Sequence, residues 1–363
     1  MIRLVSLARL FYFLWRKDPV RRIEMKKMKW SRREAVLQGA LCAGLTALLL
    51  ILCGPVFPKS GRDAQSAPAA LREITDETGR KVKLPQEVDR VVSLAPNLTE
   101  IVFALGDENH LAADTDYCDY PPEAAQKPHV GGTVNPNLEE VAALMPDVIL
   151  ATSINRRETV AALDRLGFPV FITDPHSVDE MIATVEHIGA ALAVEKSAAA
   201  VAGDLRSRLS DLDRRLAGAP ARRVLFVVWT EPLISIGSGT FIADALRRAG
   251  GRSVVDTKIE WPHVSLEEIV RLQPEVLVFA GAHAVDTQRE IESLRNLPGW
   301  RSLKAMQRSD IVVISDAINR PAPRMVDAIE TLARALHPEA FSAGGATASP
   351  AIPAVEEACA CAR

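Results

Sequence analysis

Short runs of apolar, mostly β-branched residues recur along the chain after residue 90, and longer stretches with apolar positions at helical spacing separate them. Runs that are apolar at every position are typical of strands in a parallel sheet that is covered on both faces. Their alternation with amphipathic helices indicates an α/β fold. The predicted strands are 91–94, 147–151, 170–173, 224–229, 275–280 and 311–315.

A twelve-residue pattern occurs twice, at 137–148 and again at 265–276. Each copy begins with a residue that can cap a helix, Asn137 or Ser265, and has a glutamate three residues later that can complete a capping box. These glutamates are Glu140 and Glu268. Each copy then leads into a predicted strand. The repeat predicts two α/β lobes of similar plan, an N-terminal lobe at 84–193 and a C-terminal lobe at 218–341.

The segment between the two halves, 194–217, consists largely of good helix formers and contains no proline. It predicts one long bridging helix, which would span about 34 Å. A single helical connection resists large hinge motion, so we expect the lobes to move only slightly about the cleft between them.

An uncharged apolar segment at 35–58 is long enough to cross a hydrocarbon core of about 30 Å. Residues 1–34 before it hold eleven Lys or Arg and three Asp or Glu. The positive-inside rule therefore predicts a basic cytoplasmic segment at 1–34, a transmembrane anchor at 35–58 and an extracytoplasmic body. The alternative is that the apolar segment is a signal that is cleaved and releases the body.

The remaining segments are rich in small residues, with a spacer and lead-in at 59–83 and a flexible tail at 342–363. The five cysteines contain no C-x-x-C pair, which argues against a zinc knuckle or a redox centre. No two histidines are spaced as neighbours on one helix face, and we predict neither a metal site nor a cofactor. The net charge of -3 also argues against a nucleic-acid binder.

Aromatic and charged residues follow several predicted strands, where open α/β sheets bind ligands. Tyr117, Trp229 and Trp261 are candidate ligand contacts, as are Asp316 and Arg320 in a proline-rich loop, although Arg320 could instead serve an ion pair. The chain has no G-x-S-x-G or G-x-x-x-x-G-K motif. We therefore do not expect an enzyme, while an envelope enzyme on the same scaffold remains a distant alternative.

Five segments in order resemble the helical-backbone substrate-binding proteins of ABC importers, most closely the members that bind cobalamin. The segments are 90–106, 115–124, 134–151, 260–279 and 315–324. The resemblance implies two α/β lobes bridged by one helix, with a small-molecule ligand between them. It also implies an extracytoplasmic protein that delivers its ligand to a permease dimer with its ATPase.

The same resemblance places Tyr117, Trp261, Asp316 and Arg320 at the ligand cleft. Thr133, another cleft position, stands where the cobalamin binders have an aromatic residue. Thr152 and Leu233 also stand at or near aromatic positions of those proteins. A corrinoid is therefore the expected ligand, and a ferric siderophore or haem stays open.

The repeated motif offers one further expectation. Glu139 and Glu267 lie in the first turn of their predicted helices, where a carboxylate interacts favourably with the helix dipole. In the family that the chain resembles, glutamates at these positions dock the protein onto its permease. Glu139 and Glu267 are therefore the predicted partner-docking residues, one on each lobe.

Overall fold

The structure is a computed structural model that describes residues 70–155, 157–281 and 284–342. These residues belong to one compact unit. The cytoplasmic segment and membrane anchor predicted at 1–58, and nearly all of the predicted tail, lie outside them. Within the described ranges, no helix combines the length and the apolar character needed to cross a bilayer.

A β-hairpin opens the described chain. Strands β1 (Leu71–Thr75) and β2 (Lys81–Pro85) pair antiparallel, with Val82 and Leu84 buried on the inward face. Asp76 organises the turn by accepting a hydrogen bond from the backbone N–H of Arg80 at 2.8 Å. The sequence predicted only a spacer and lead-in at 59–83, whereas the structure has a β-hairpin from residue 71. The hairpin forms because alternate positions of β2 are buried and Asp76 stabilises the turn.

Four parallel strands form the sheet of the N-terminal lobe. They are β3 (Val91–Ser93), β4 (Leu111–Ala113), β5 (Val148–Thr152) and β6 (Val170–Thr173), in the spatial order β4–β3–β5–β6. Every residue of β5 is buried, which explains why its sequence is apolar with no alternation.

The sheet of the C-terminal lobe repeats this plan. Its strands are β7 (Arg222–Val227), β10 (Gly251–Ser253), β11 (Val276–Gly281) and β12 (Ile311–Ser315), all parallel and in the order β10–β7–β11–β12. A short antiparallel hairpin, β8 (Trp229–Thr230) and β9 (Leu233–Ile234), is inserted after β7.

The predicted α/β fold with parallel sheets is confirmed. All six predicted runs overlap observed strands, and the two sheets share one strand order. The edge strands β4 and β10 were not predicted, because their sequences, LAA and GRS, are three residues long and contain no β-branched residue.

Helices cover the sheets and connect the lobes. They are α1 (Pro96–Ala104), α2 (Leu138–Ala143), α3 (Arg157–Arg165), α4 (Val178–Leu192), α5 (Glu195–Leu216), α6 (Phe241–Arg248), α7 (Leu266–Leu272), α8 (Ala284–Arg295), α9 (Lys304–Arg308), α10 (Met325–Leu336) and α11 (Pro338–Ser342). One apolar cluster runs from Ile182 of the N-terminal lobe through Leu205 of α5 to Ile329 of the C-terminal lobe. Shared burial of this kind opposes separation of the lobes.

The repeated motif has matching geometry in both lobes. The side chain of Asn137 accepts from the backbone N–H of Glu140 at 3.4 Å, and that of Ser265 accepts from Glu268 at 3.1 Å. The predicted capping boxes are nevertheless incomplete. Glu140 instead accepts from the side-chain amide of Asn137, and Glu268 pairs with Arg271 one turn later. Side chains three residues apart are neighbours on a helix, so these polar partners compete with the capping backbone N–H for the glutamates.

Candidate functional site

Loops at the carboxyl ends of the strands carry the candidate ligand residues. Because the strands of each sheet are parallel, these loops gather at one edge of the lobe. Three aromatic side chains there are open to solvent, with Tyr117 63%, Trp229 60% and Trp261 42% exposed. An aromatic side chain of this size gains from being covered, so these exposures mark the loops as a surface suited to an apolar ligand.

In the N-terminal lobe, a buried asparagine joins the loops around Tyr117. The Asn155 side-chain amide donates to the carbonyl oxygens of Thr133 at 2.6 Å and Leu94 at 3.3 Å, while its oxygen accepts from the Thr152 N–H at 2.7 Å. Sequence reasoning missed Asn155, because two of its three partners, the carbonyls of Leu94 and Thr133, are distant along the chain. Thr133 is therefore held in position through its backbone, with its side chain partly exposed.

A buried polar cluster supports the Tyr117 loop. Asp114 follows β4 and lies 2.6 Å from Nδ1 of His129, while its Oδ2 atom has no hydrogen-bond partner among the described residues. Burial raises the pKa of Asp114 to about 6, although the hydrogen bond from His129 acts to lower it. The Cys118 thiol lies 3.2 Å from the Thr99 hydroxyl, and burial raises its pKa.

In the C-terminal lobe, Trp229 is in β8 and its indole N–H donates to the carbonyl oxygen of Glu231 at 2.8 Å. The loop that leads to Trp261 packs directly against Gly237, whose N–H donates to the carbonyl oxygen of Glu260 at 2.8 Å. A Cβ atom at Gly237 would overlap the carbonyl oxygen of Ile259. Glycine therefore allows the close approach that positions Trp261.

Asp316 and Arg320 lie together, as the sequence suggested, and form an ion pair at 3.0 Å. Arg320 also reaches Asp119 of the N-terminal lobe, with Nη1 at 2.6 Å from Oδ1. The hydrogen bond from Arg320 holds the pKa of Asp119 below its usual range. Burial acts to lower the pKa of Arg320, but its carboxylate partners outweigh burial and raise it. The guanidinium therefore stays charged.

Other expected positions have different surroundings. Thr152 and Leu233 are buried, so they support the loops from below and add little open surface. Exposed apolar side chains that sequence reasoning did not select lie beside the candidates instead: Val134, Ile154 and Ile259. Each lies within two residues of a position singled out from the sequence, Thr133, Thr152 or Trp261, and this proximity along the chain was the available signal. Among the described residues, no ring contact joins Tyr117, Trp229 and Trp261 to one another.

A cavity of about 890 Å³ is lined by residues of both lobes. Its lining includes His176 and Ser177 after β6, together with Ser238, Thr240 and Asp244 around the start of α6. None of the six predicted ligand residues lines it. The cavity and the exposed aromatic side chains are therefore separate features of the structure.

The predicted docking residues, Glu139 and Glu267, are both exposed in the first turn of α2 and α7. Within the described ranges, neither carboxylate has a hydrogen-bond or ion-pair partner. The same ranges contain no cluster of three or more histidine, cysteine or acidic side chains able to hold a metal ion.

The fold agrees with the family to which the sequence belongs. Residues 91–317 match the sequence profile of a family described as periplasmic binding protein. Because the match covers more than half of the chain, the protein belongs to the periplasmic binding protein family. Members of this family bind substrates for transport, outside the cytoplasm.

Individual relatives are consistent with this assignment. The vitamin B12-binding protein of Vibrio cholerae is 30% identical over 253 residues, which covers 68% of this chain and 88% of that protein. A crystal structure of a periplasmic vitamin B12-binding protein of the same organism is 29% identical with a TM-score of 0.60, covering 70% of this chain and 98% of that chain. A periplasmic haem-binding protein from Pseudomonas aeruginosa is 26% identical with a TM-score of 0.63, covering 69% and 93%.

Proposed function

We propose that this protein is the solute-binding component of an ABC importer and holds a corrinoid between its two lobes. The observation that carries the proposal is the set of exposed aromatic side chains, Tyr117 on one lobe with Trp229 and Trp261 on the other. A large, flat ligand fringed with amides can cover aromatic walls and accept hydrogen bonds from Arg320. The vitamin B12-binding relative supports the same ligand class.

Calorimetric titration of the full chain with cyanocobalamin tests the proposal. Replacing Trp261 by alanine removes an aromatic wall and should weaken binding by about 2 kcal/mol, or about thirtyfold. Leu166→Ala, an exposed apolar position after α3, is the matched control and should bind normally. Unchanged affinity in a folded Trp261→Ala variant would exclude the aromatic wall.

Haem is the second candidate ligand. The phenol of Tyr117 is exposed, and its oxygen has no hydrogen-bond partner among the described residues. A tyrosine oxygen can ligate haem iron. The haem-binding relative from Pseudomonas aeruginosa supports this alternative. A ferric siderophore, which also contains iron, is grouped with haem.

One substitution separates the two candidates. Tyr117→Phe keeps the aromatic ring and removes the oxygen, so corrinoid binding should persist while haem binding through Tyr117 should be lost. Tyr117→Ala should weaken both. The absorption spectrum of the loaded protein identifies the ligand, and tight haem binding that survives Tyr117→Phe would exclude this tyrosine as the iron ligand.

Docking onto the permease is assigned to Glu139 and Glu267. Two unpartnered carboxylates, one in the same motif of each lobe, offer a two-point acidic contact to paired basic residues of a dimeric permease. The Glu139→Ala, Glu267→Ala double variant should bind ligand normally and fail to support uptake in vesicles with the permease and its ATPase. Glu158→Ala, another first-turn carboxylate, is the control. Full uptake by the double variant would contradict the assignment.

Membrane attachment is assigned to residues 35–58. The basic segment before them and their uncharged apolar composition support a retained anchor. The full chain should stay with the membrane after an alkaline wash, and N-terminal sequencing should find no cleavage after this segment. A soluble form that begins beyond residue 58 would identify a cleaved signal instead.

A further inference from the structure

Two arginines of the C-terminal lobe reach a buried carboxylate of the N-terminal lobe. Glu100 lies on α1 and is only 4% exposed. It accepts hydrogen bonds from Arg324 Nη2 at 2.8 Å, from Arg324 Nε at 3.1 Å and from Arg320 Nη1 at 3.2 Å. We call Glu100, Arg320 and Arg324 the lobe clasp.

Arg324 is committed to the N-terminal lobe by a second contact. Its guanidinium lies 4.0 Å from the centroid of the Tyr120 ring, a cation–π arrangement. Burial acts to lower the pKa of Arg324, but the hydrogen bond to Glu100 and the charges of Glu100 and Asp316 raise it overall. Arg324 therefore stays charged and binds the end of the proline-rich loop to the N-terminal lobe.

Among the described residues, Arg320 has three carboxylate partners that differ in exposure. Asp316, four residues earlier in the same loop, is partly buried and pairs with Arg320 Nη2 at 3.0 Å. On its buried side lies Glu100, which has little access to water. On its open side lies Asp119, whose side chain is 64% exposed, with a second contact from Arg320 Nη2 at 3.3 Å. Water and ions compete for an exposed pair of this kind, whereas a buried charged pair is costly to break. Asp119 is therefore the exchangeable partner and Glu100 the permanent one.

We propose that Glu100 is the positioning residue of the ligand cleft, holding Arg320 from the buried side while Asp119 occupies its open side until a ligand oxygen displaces it. The displacing group would be a carboxamide or carboxylate oxygen, because the guanidinium offers only donors. The inference rests on the proposed function, since it requires the cleft to bind ligand through Arg320.

Calorimetric titration of the full chain tests the proposal. The unmodified protein is titrated with cyanocobalamin and with haem, and the probe that binds is then used for every variant. Asp119→Asn removes a competing charge and should tighten binding about threefold. Arg320→Ala should weaken binding about tenfold, and Glu100→Gln nearly as much. Asp179→Asn, an exposed carboxylate paired with Arg248 elsewhere on the lobe boundary, is the control and should leave affinity unchanged.

The double variant Glu100→Gln, Arg320→Ala identifies how Glu100 acts. If Glu100 works through Arg320, the double variant should bind no more weakly than Arg320→Ala alone. Multiplied losses would make the effect of Glu100 structural and overturn the proposal. Because Asp119 is exposed, Asp119→Asn should fold, and it tests the exchange even if Glu100→Gln does not fold. Unchanged or weaker binding by Asp119→Asn overturns the proposal. If the unmodified protein binds neither probe, the proposed function falls together with this inference. If it binds and these variants fail the test, only this inference falls.

Discussion

The two lobes contact each other at two equivalent positions that use different chemistry. At one, Glu100 of α1 pairs with Arg324 at the start of α10. At the other, Asp244 of α6 accepts a hydrogen bond at 2.9 Å from the backbone N–H of Val178, the first residue of α4. In each case an acidic residue of one lobe's first major helix meets the start of the helix that follows the other lobe's last strand.

The difference shows what a repeated plan does and does not determine. Equivalent topology places an acidic residue against a helix start at both contacts. We call the contact of Glu100 with Arg324 the clasp crossing, and the contact of Asp244 with Val178 the Asp244 crossing or neutral crossing. The clasp crossing is closed by guanidinium groups on a buried carboxylate. The Asp244 crossing uses a neutral N–H at a helix terminus, and its ion pair, Arg248 with Asp179, involves an exposed carboxylate. The cavity of about 890 Å³ adjoins the Asp244 crossing. The clasp crossing is therefore the more strongly paired end of the lobe boundary, and the cavity lies beside the neutral crossing.

The largest expected effect is at the clasp. Glu100→Gln should lower the free energy of unfolding by about 3 kcal/mol, because it removes the buried carboxylate that the Arg320 and Arg324 guanidinium groups share, while Arg320 keeps the carboxylates of Asp119 and Asp316. Denaturant unfolding followed by circular dichroism measures the change. A loss below about 1 kcal/mol would mean that water replaces the carboxylate easily and that the clasp contributes little to stability.

Asp114, which supports the loop that carries Tyr117 and Asp119, should make the free energy of unfolding depend on pH. Its folded pKa of about 6 lies above the value of 3.8 for an unperturbed aspartate, so the folded state binds the proton more tightly. The free energy of unfolding should therefore fall as pH rises from about 4 to about 6, by up to about 3 kcal/mol. The charged groups that face this carboxyl are His129 and Lys127, with the Cys118 thiol beside it.

Unfolding measured across pH 4–8 in Asp114→Asn tests this expectation. The substitution should remove most of the decline, whereas Asp89→Asn, at an exposed position, should preserve it. An unchanged slope in Asp114→Asn would assign the pH dependence to other groups.

The neutral crossing should be weaker and insensitive to salt. Asp244→Ala removes the acceptor for the Val178 N–H and should lower the free energy of unfolding by about 1 kcal/mol. Asp244 also pairs with Arg247, whose side chain is 70% exposed and contributes little. Because the partner on the other lobe is an uncharged N–H, the loss should change little between 0.1 M and 1 M NaCl. A loss as large as that of Glu100→Gln would remove the distinction between the two crossings.

Arg248 should show the smallest effect. It lies on α6 near the neutral crossing and pairs with Asp179 at 2.6 Å and Asp213 at 2.9 Å, both exposed carboxylates. Arg248→Ala should lower the free energy of unfolding by less than about 1 kcal/mol, and 1 M NaCl should reduce the difference further. A salt-resistant loss would show that packing of the Arg248 stem is the stabilising contribution.

Much of the architecture could be predicted, because short stretches of the sequence indicate the strands and the repeat. The buried strands are apolar throughout, and the repeat at residues 137–148 and 265–276 marks the two lobes directly. Trp229 was selectable because it ends a predicted strand, and Tyr117 and Trp261 because they lie in predicted loops; the structure exposes all three. Their contact with a ligand stays a prediction.

The polar groups that organise the site could not be found in this way. Glu100 sits in a helix whose sequence, PNLTEIVFA, would suit a glutamate facing water, and its partners lie more than 200 residues further along the chain. Asn155 and the pair of Asp114 with His129 depend equally on contacts made only after folding. Such groups have no periodic signal, because burial in the tertiary structure determines their role.

The burial of Cys118 has a consequence for the redox behaviour of the loop that carries Tyr117 and Asp119. Its thiol is 2% exposed and hydrogen-bonded, and burial raises its pKa, so little of the reactive thiolate forms at neutral pH. The family to which the chain belongs works outside the cytoplasm, where disulfides form readily. A thiol that is neither accessible nor ionised exchanges slowly with disulfides. The loop can therefore carry a free cysteine through an oxidising compartment without being cross-linked while the protein stays folded.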